Sequence, residues 1–291
     1  MNSENIRSNR KKYIKPAIVL LIVIALLLFC SYQNRHLETT YYTYKAEQFG
    51  ADLEGYRIVQ ISDLHNAKFG KHNQKLVDRV RECEPDMIVL TGDLVDSNHT
   101  NVDRAVQFVD EIVKICPVYY VTGNHEYWLE KSEYDELMDG LASAGAVILD
   151  DQVVEISRGD AKFRLVGLDD KNLADGTLGT LLNNDQNVAH EDSEKKEFTV
   201  VLAHEPQYLA RYAGTGVDLV LSGHAHGGQF RLPFVGGTVA PDQGFLPEYT
   251  AGEYYMNGTE MIVSRGLGNS VIPVRLFNYP EIVCVELVGK H

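Results

Sequence analysis

Five short apolar, β-branched runs each stop at a cluster of Asp, Asn or His, and this pattern narrows the fold more than any other feature of the 291 residues. The runs are Tyr56–Ser62, Asp86–Thr91, Val118–Thr122, Phe198–Ala203 and Val217–Ser222. An apolar run without alternation is what a strand buried on both faces requires. Helical spacing separates the first three, at Lys71–Cys83 and Asn101–Ile115, which predicts β-α-β-α-β. Ser132–Ala144 reads as a third helix, closed by Gly145 as helices often are. Val153–Ile156, Phe163–Gly167, Glu260–Ser264 and Glu281–Leu287 lack long helices between many of them and predict a second, mixed sheet. The expected architecture is α/β with α+β character: two stacked mixed sheets with helices outside. Asn183–Glu197 is polar enough for a surface loop.

The clusters are Asp63-Leu64-His65, Gly92-Asp93-Leu94-Val95-Asp96, Gly123-Asn124-His125-Glu126, His204 and Gly223-His224-Ala225-His226. Any one is ordinary turn chemistry. Five in order, all at carboxyl ends of strands, fall on the edge where open α/β sheets bind ligands. Burying so many carboxylates and imidazoles together is costly without a cation. Asp63, His65, Asp93, Asn124, His204, His224 and His226 offer seven oxygen and nitrogen donors and no sulfur. That exceeds one tetrahedral site and suits two divalent ions sharing a carboxylate, with Mn, Fe or Zn favoured over Ca or Mg.

In this order the clusters resemble the five signature motifs of the calcineurin-like metallophosphoesterases, across residues 56 to 229. Gly227-Gly228-Gln229 and Ser264-Arg265-Gly266-Leu267-Gly268 look like the bacterial membrane-associated phosphodiesterase branch. The resemblance implies a four-layer αββα sandwich. It also implies that Asp63, His65 and His226 hold one metal, that Asn124, His204 and His224 hold the other, and that Asp93 bridges them. His125 then faces the substrate as a proton donor, oriented by Asp96. The expected reaction is in-line attack on phosphorus by hydroxide held between ions about 3.5–4 Å apart. A phosphodiesterase or pyrophosphatase is expected, with a phosphomonoesterase, a protein phosphatase or a non-catalytic metal-containing binding module as alternatives.

Charge bears on what such a site can attract. The 27 Lys and Arg against 41 Asp and Glu give a net charge of -14, and five of the cations lie in the first fifteen residues. So acidic a body excludes general nucleic-acid binding, and ions must recruit phosphate instead. Ala17–Cys30 is uncharged and apolar; with Ser31 and Tyr32 it would span about 24 Å as a helix, short of the roughly 30 Å hydrocarbon core. No small-x-small cleavage site follows, so the reading is an uncleaved signal anchor. The organisation expected is a basic cytoplasmic tail over 1–16, a transmembrane anchor over 17–32, a lead-in over 33–55 and a catalytic domain over 56–291. The cations before the anchor place the tail inside and the domain outside the cell membrane. A tethered site makes a lipid-linked phosphate an attractive substrate.

Cys30, Cys83, Cys116 and Cys284 form no CxxC pair and read as buried small hydrophobes. His36, His72, His99, His190 and His291 read as surface residues; Tyr127 and Trp128 read as core, with a place on the wall of a substrate pocket as the alternative. Arg265 and Arg275 could clamp a second phosphate or a headgroup, although ordinary surface pairing accounts for them at least as well.

Overall fold

The apolar runs do form strands, and nearly all of their side chains are buried. The computed structural model describes residues 3–47, 49, 52–173, 176–184 and 197–290, with the backbone alone over 3–14. In chain order the strands are β1 (Glu38–Ala46), β2 (Tyr56–Ile61), β3 (Met87–Thr91), β4 (Val118–Val121), β5 (Val147–Ile148), β6 (Gln152–Arg158), β7 (Ala161–Gly167), β8 (Thr199–Leu202) and β9 (Leu219–Ser222). Two short hairpins follow, β10 (Arg231–Leu232) with β11 (Gly236–Gly237) and β12 (Val239–Ala240) with β13 (Gly244–Phe245). The chain ends through β14 (Gly252–Met256), β15 (Thr259–Val263) and β16 (Glu281–Gly289). The helices are α1 (Ser3–Gln33), α2 (Gln74–Glu82), α3 (Val102–Ile112), α4 (Asn124–Tyr127), α5 (Lys131–Ala144), α6 (Thr177–Asn184) and α7 (Leu209–Tyr212).

One sheet runs β1-β16-β2-β3-β4-β5 and the other β14-β15-β9-β8-β7-β6. Strands β2 to β5 are parallel, as are β7, β8, β9 and β15. The strands β6 and β14 are antiparallel edges of the second sheet, and β16 is antiparallel to β2. Alternation along each strand sorts the core into three layers. Val59, Ile88 and Leu90 pack with Leu76, Phe108 and Leu141 of α2, α3 and α5. Their chain neighbours Ile58, Met87 and Val89 face the second sheet, against Phe163, Leu165, Val200 and Leu221. On the far side Val166, Val201 and Val220 lie under Leu178, Leu209 and Tyr212 of α6 and α7. Each fully buried Val, Leu or Ile contributes about 1.5–3 kcal/mol, which is why continuous apolar runs suit strands sandwiched on both sides. The helices start and stop as their sequence dictates. Asn101 caps α3 by accepting from Arg104 N at 2.8 Å, and Gly145 ends α5 in the left-handed region at φ 102°.

Three sequence expectations change here. The lead-in over 33–55 contains β1, which pairs in parallel with the whole of β16, from Glu38 with Glu281 to Ala46 with Gly289. Its Thr and Tyr residues favour a strand, but as a half-exposed edge it lacks the apolar run that marks a central one. Cys83 and Cys284 are buried, whereas Cys30, on the largely exposed α1, and Cys116, on the connection between α3 and β4, are partly exposed. Of the loop expected over Asn183–Glu197, Asn183 and Asn184 complete α6, and 185–196 lie outside the described residues.

The apolar stretch near the N-terminus lies within α1. Its span Lys15–Gln33 has a mean hydropathy of 2.4 and is long and apolar enough to cross a membrane. At 1.5 Å per residue those 19 residues reach about 28 Å, more than the apolar run alone allowed. Leu20, Leu21, Leu27 and Leu28 are exposed along it. Its carboxyl end is tied to the domain: Asn34 Nδ2 donates to Pro273 O and Asn34 Oδ1 accepts from Arg275 N, both at 2.8 Å.

Candidate metal and catalytic site

All five clusters meet at one edge, where parallel strands of both sheets end. The first sheet delivers Asp63 and His65 after β2, Asp93 and Asp96 after β3, and Asn124 and His125 after β4. The second delivers His204 after β8 and His224 and His226 after β9. Asp63, His65, Asp93, His204, His224 and His226 are buried, and Asn124 is partly so. Five of these residues turn back at left-handed φ: Asp63 50°, His65 45°, Asp93 53°, His224 64° and His226 48°. That conformation costs a non-glycine residue on the order of 1 kcal/mol and concentrates at functional sites. Here it is held by bonds between neighbouring loops, such as Asp63 N to Gly92 O at 3.1 Å and His65 N to Asp93 O at 3.0 Å. Glycine makes room between the loops. A Cβ on Gly123 would come within 2.9 Å of His204 Nε2, and one on Gly223 would collide with Ser62 and the Asp63 carboxylate.

The side chains fall into two groups that share one residue. In the first, ligand atoms of Asp63, His65, Asp93 and His226 lie within 4.8 Å of one another; in the second, those of Asp93, His204 and His224 do. His65 Nε2 is 3.2 Å from His226 Nε2 and 3.4 Å from Asp93 Oδ2. His204 Nε2 is 3.3 Å from Asp93 Oδ2, 3.2 Å from Asn124 Oδ1 and 3.2 Å from His224 Nδ1. The outer nitrogens fix which lone pairs point inward. His204 Nδ1 donates to Thr91 O at 2.7 Å, and His224 Nε2 donates to Asp242 at 2.9 Å. The remaining nitrogen of each neutral ring is therefore an acceptor, facing two more acceptors in Asn124 Oδ1 and Asp93 Oδ2. Such a set needs a cation at its centre, a proton or a metal ion.

Titration behaviour follows from the same crowding. Burial pushes His65 down to about 3, and burial with the Arg275 charge holds His226 well below the usual imidazole range. Burial works against charge on Asp93, but His204, His65 and His125 outweigh it and keep the carboxyl well below its usual range. Burial likewise opposes charge on His204, yet Asp93 holds a proton there; that proton is what a metal ion would displace.

His125 belongs to neither group. Its Nδ1 accepts from Ser97 N at 3.1 Å, so the neutral ring carries its proton on Nε2, which lies 3.0 Å from Ser270 Oγ. Asp96, expected to orient this ring, stands 3.8 Å from Nδ1 and accepts from Asn98 N instead. Ser97 is thus the direct partner, through its backbone N–H and through its hydroxyl, whose Oγ is also 3.1 Å from Nδ1. Trp128 is 61% exposed with its ring 4.7 Å from that of His125, so it borders the site and is not core. Tyr127 is only partly buried and hydrogen-bonds Asp169. His36, His72 and His99 are exposed as expected, while His190 and His291 lie outside the described residues.

Arg265 and Arg275 do not form a phosphate clamp. Arg265 is paired with Glu38 and Glu281 at 2.8 Å each. Arg275 is fully buried, donating to Arg265 O at 2.7 Å, Gly268 O at 2.5 Å and Asn269 Oδ1 at 3.1 Å. It braces the loop behind Asp63 because three acceptors converge there, and burial lowers it to about 10.

Two further residues support the site. Asp242, on the turn after β12, reaches His224 from a stretch with no motif. Glu126 stood within a motif but had no assigned role. Its Oε2 accepts from Asp93 N at 2.9 Å and Gly123 N at 2.7 Å, and its Oε1 from Leu94 N at 2.8 Å, which locks the β3 and β4 loops together. Burial, then the Asp93 charge, raises it to about 8. Glu126→Gln replaces one acceptor oxygen by a donor facing two buried N–H groups. It should cost about 2 kcal/mol in metal-free urea unfolding, and an unchanged midpoint would refute the clamp.

Comparison with known proteins supports the same region. A sequence profile of the calcineurin-like phosphoesterases matches residues 56–228. A metallophosphoesterase of Aquifex aeolicus is 34% identical over 268 residues, covering 88% of this chain and 95% of its own. The phosphodiesterase YaeI of Escherichia coli is 29% identical over 237 residues, covering 80% and 82%. A transmembrane protein with a metallophosphoesterase domain from Danio rerio is 28% identical over 250 residues, covering 83% of this chain and 55% of its own.

Proposed function

The chain belongs to the calcineurin-like phosphoesterase family and is a metal-dependent phosphoester hydrolase, and from that premise we propose that it is a membrane-anchored phosphodiesterase or pyrophosphatase. The observation that carries the site assignment is the convergence of acceptor atoms on two centres that share Asp93. Asp63, His65 and His226 would hold one divalent ion, Asn124, His204 and His224 the other, with Asp93 between them. Oxygen and nitrogen donors of this mixture fit Mn, Fe or Zn. When bound, the ions supply Lewis-acid activation of the phosphoryl group and acidify a water for in-line attack.

The protein's own groups do the rest. Asp242 and the Thr91 carbonyl hold His224 and His204 in the tautomers a metal needs. His125 would enter the reaction as an imidazolium, its Nδ1–H facing Ser97 Oγ at 3.1 Å and the Asp96 carboxylate at 3.8 Å, and would give its Nε2 proton to the departing oxygen, ending as a neutral ring. A cavity of about 250 Å³ beside His226, lined by Gln229, Pro241, Val271 and Ile272, has room for a second ester substituent. Among the described residues no Lys or Arg lines it to offset the extra charge of a monoester, which favours diesters. Full-length enzyme with Mn should therefore turn over bis(4-nitrophenyl) phosphate about tenfold faster than the monoester, lose activity to a chelator and regain it with Mn. Preference for the monoester would point to a phosphatase.

The apolar part of α1 is the anchor in this reading, with the basic residues of its first turns cytoplasmic and the catalytic domain outside. The hydropathy of Lys15–Gln33 and the exposure of its long side chains support it. Protease added to intact cells should digest the domain; digestion only after lysis would reverse the orientation. A lipid-linked phosphoester is then the substrate within easiest reach.

A further inference from the structure

Two hairpins and one loop near the cavity carry large apolar side chains that the described residues leave half or more exposed. Phe234 and Val235 form the turn between β10 and β11, Phe245 and Leu246 close β13, and Val271 and Phe277 lie on the loop before β16. Phe234 is fully exposed, and Phe245, Val271 and Leu246 are 89%, 84% and 70% exposed. Apolar surface of this kind on a soluble domain marks an interaction. The three segments are stitched into one ledge. Arg231 N donates to Leu276 O at 2.9 Å, Thr238 N to Phe230 O at 3.0 Å, and Leu246 N to Thr238 O at 2.9 Å.

The ledge is continuous with α1 at one end and with the cavity at the other. Phe277 lies edge-on to Phe29 with ring centroids 5.8 Å apart, and Phe29 falls inside the apolar span Lys15–Gln33. Val271 lines the cavity together with Pro241, next to Ser270 and the His125 ring. We propose that this ledge rests in the headgroup–acyl boundary of the membrane crossed by α1, so that the cavity opens toward lipid and receives the apolar part of an amphiphilic phosphoester. The proposal rests on the anchor reading of α1 given above. A lipid surface is the occupant because the contact with Phe29 sets the edge of the ledge at the depth of the helix itself. The six residues carry no charge, so the seating is by apolar burial and does not require anionic lipid.

The test uses the full chain in phosphatidylcholine vesicles with brominated acyl chains. Tryptophan is introduced singly as Phe234→Trp or Phe245→Trp, with Ile24→Trp as a reference in α1 and Val147→Trp as a reference on the outer edge of the first sheet. Each is read against the parent, whose one tryptophan is Trp128. Bromolipid should remove roughly half or more of the emission fraction at 234 and 245 that it removes at 24, and leave 147 unchanged. Rim positions that behave like 147 while 24 is quenched overturn the ledge and leave the anchor standing. No quenching at 24 overturns the anchor and the ledge with it. Blue-shifted but unquenched emission at 234 and 245 assigns the surface to a protein partner, such as a second copy, and also overturns it. As a second readout, Phe234→Ser combined with Phe245→Ser should slow hydrolysis of a long-chain phosphodiester in the vesicle about tenfold, with bis(4-nitrophenyl) phosphate turnover unchanged. Equal effects on both substrates, or none on either, count against the proposal; a parent that hydrolyses neither indicts the functional reading while the quenching result stands.

Discussion

Asp93→Asn should remove both metal ions and lower phosphodiester kcat/KM by about 10³-fold or more. Asp93 is the one residue common to both groups, with Oδ2 3.4 Å from His65 Nε2 and 3.3 Å from His204 Nε2. An amide keeps one acceptor oxygen but turns its other end into a donor, and it cannot balance two cations. The substitution is mild for the backbone, because φ is 53° here and Asn adopts that region readily. Oδ1, which accepts from His125 N at 2.9 Å, can also be matched by the amide oxygen. A folded, inactive, metal-free protein is the expected product, read by elemental analysis, turnover and thermal melting together. A variant that retains two ions and full activity removes Asp93 as the ligand shared between them.

His125→Ala should lower kcat by about 10²- to 10⁴-fold while metal content stays at the parental level. The ring meets that of His65 edge-on, at 4.5 Å between centroids, and its nitrogens are engaged by Ser97 and Ser270. The loss should be larger for an alkyl leaving group than for nitrophenolate, since only the poor leaving group needs its oxygen protonated. Equal losses for both would make His125 a binding residue. Asp96→Asn should follow the same trend at about tenfold, because its carboxylate is one step removed from the ring.

Several supporting residues were illegible in the sequence for a common reason. Ser97 meets His125 Nδ1 through its backbone N–H, which every residue but proline possesses, and through a hydroxyl that only the fold of the loop after β3 brings there. Asp242 reaches His224 from a turn whose position depends on the β12–β13 hairpin. Arg275 looks like a surface cation by type and is buried because three acceptors of the 265–269 loop meet its guanidinium. The strand β1 escaped because an edge strand needs only one covered face, and its Thr and Tyr residues serve both water and core. Glu126 was visible as part of a motif, yet its task of clamping the β3 and β4 loops could be read only from the N–H groups around it.

The amino-acid order by itself determined the buried strands, the intervening helices and the identity of the side chains at each strand end. Those are local matters, set by the alternation of apolar side chains, by helix periodicity and by glycine where two loops come close. What only the tertiary structure decided is which atoms meet. Asp63 lies beside His226, and Asp93 between His65 and His204, because two separate sheets stack with their strand ends on one edge. Sheet stacking is a property of the whole core and leaves no period in the chain. The seating of the apolar ledge against the end of α1 was settled in the same way, by packing between segments more than two hundred residues apart.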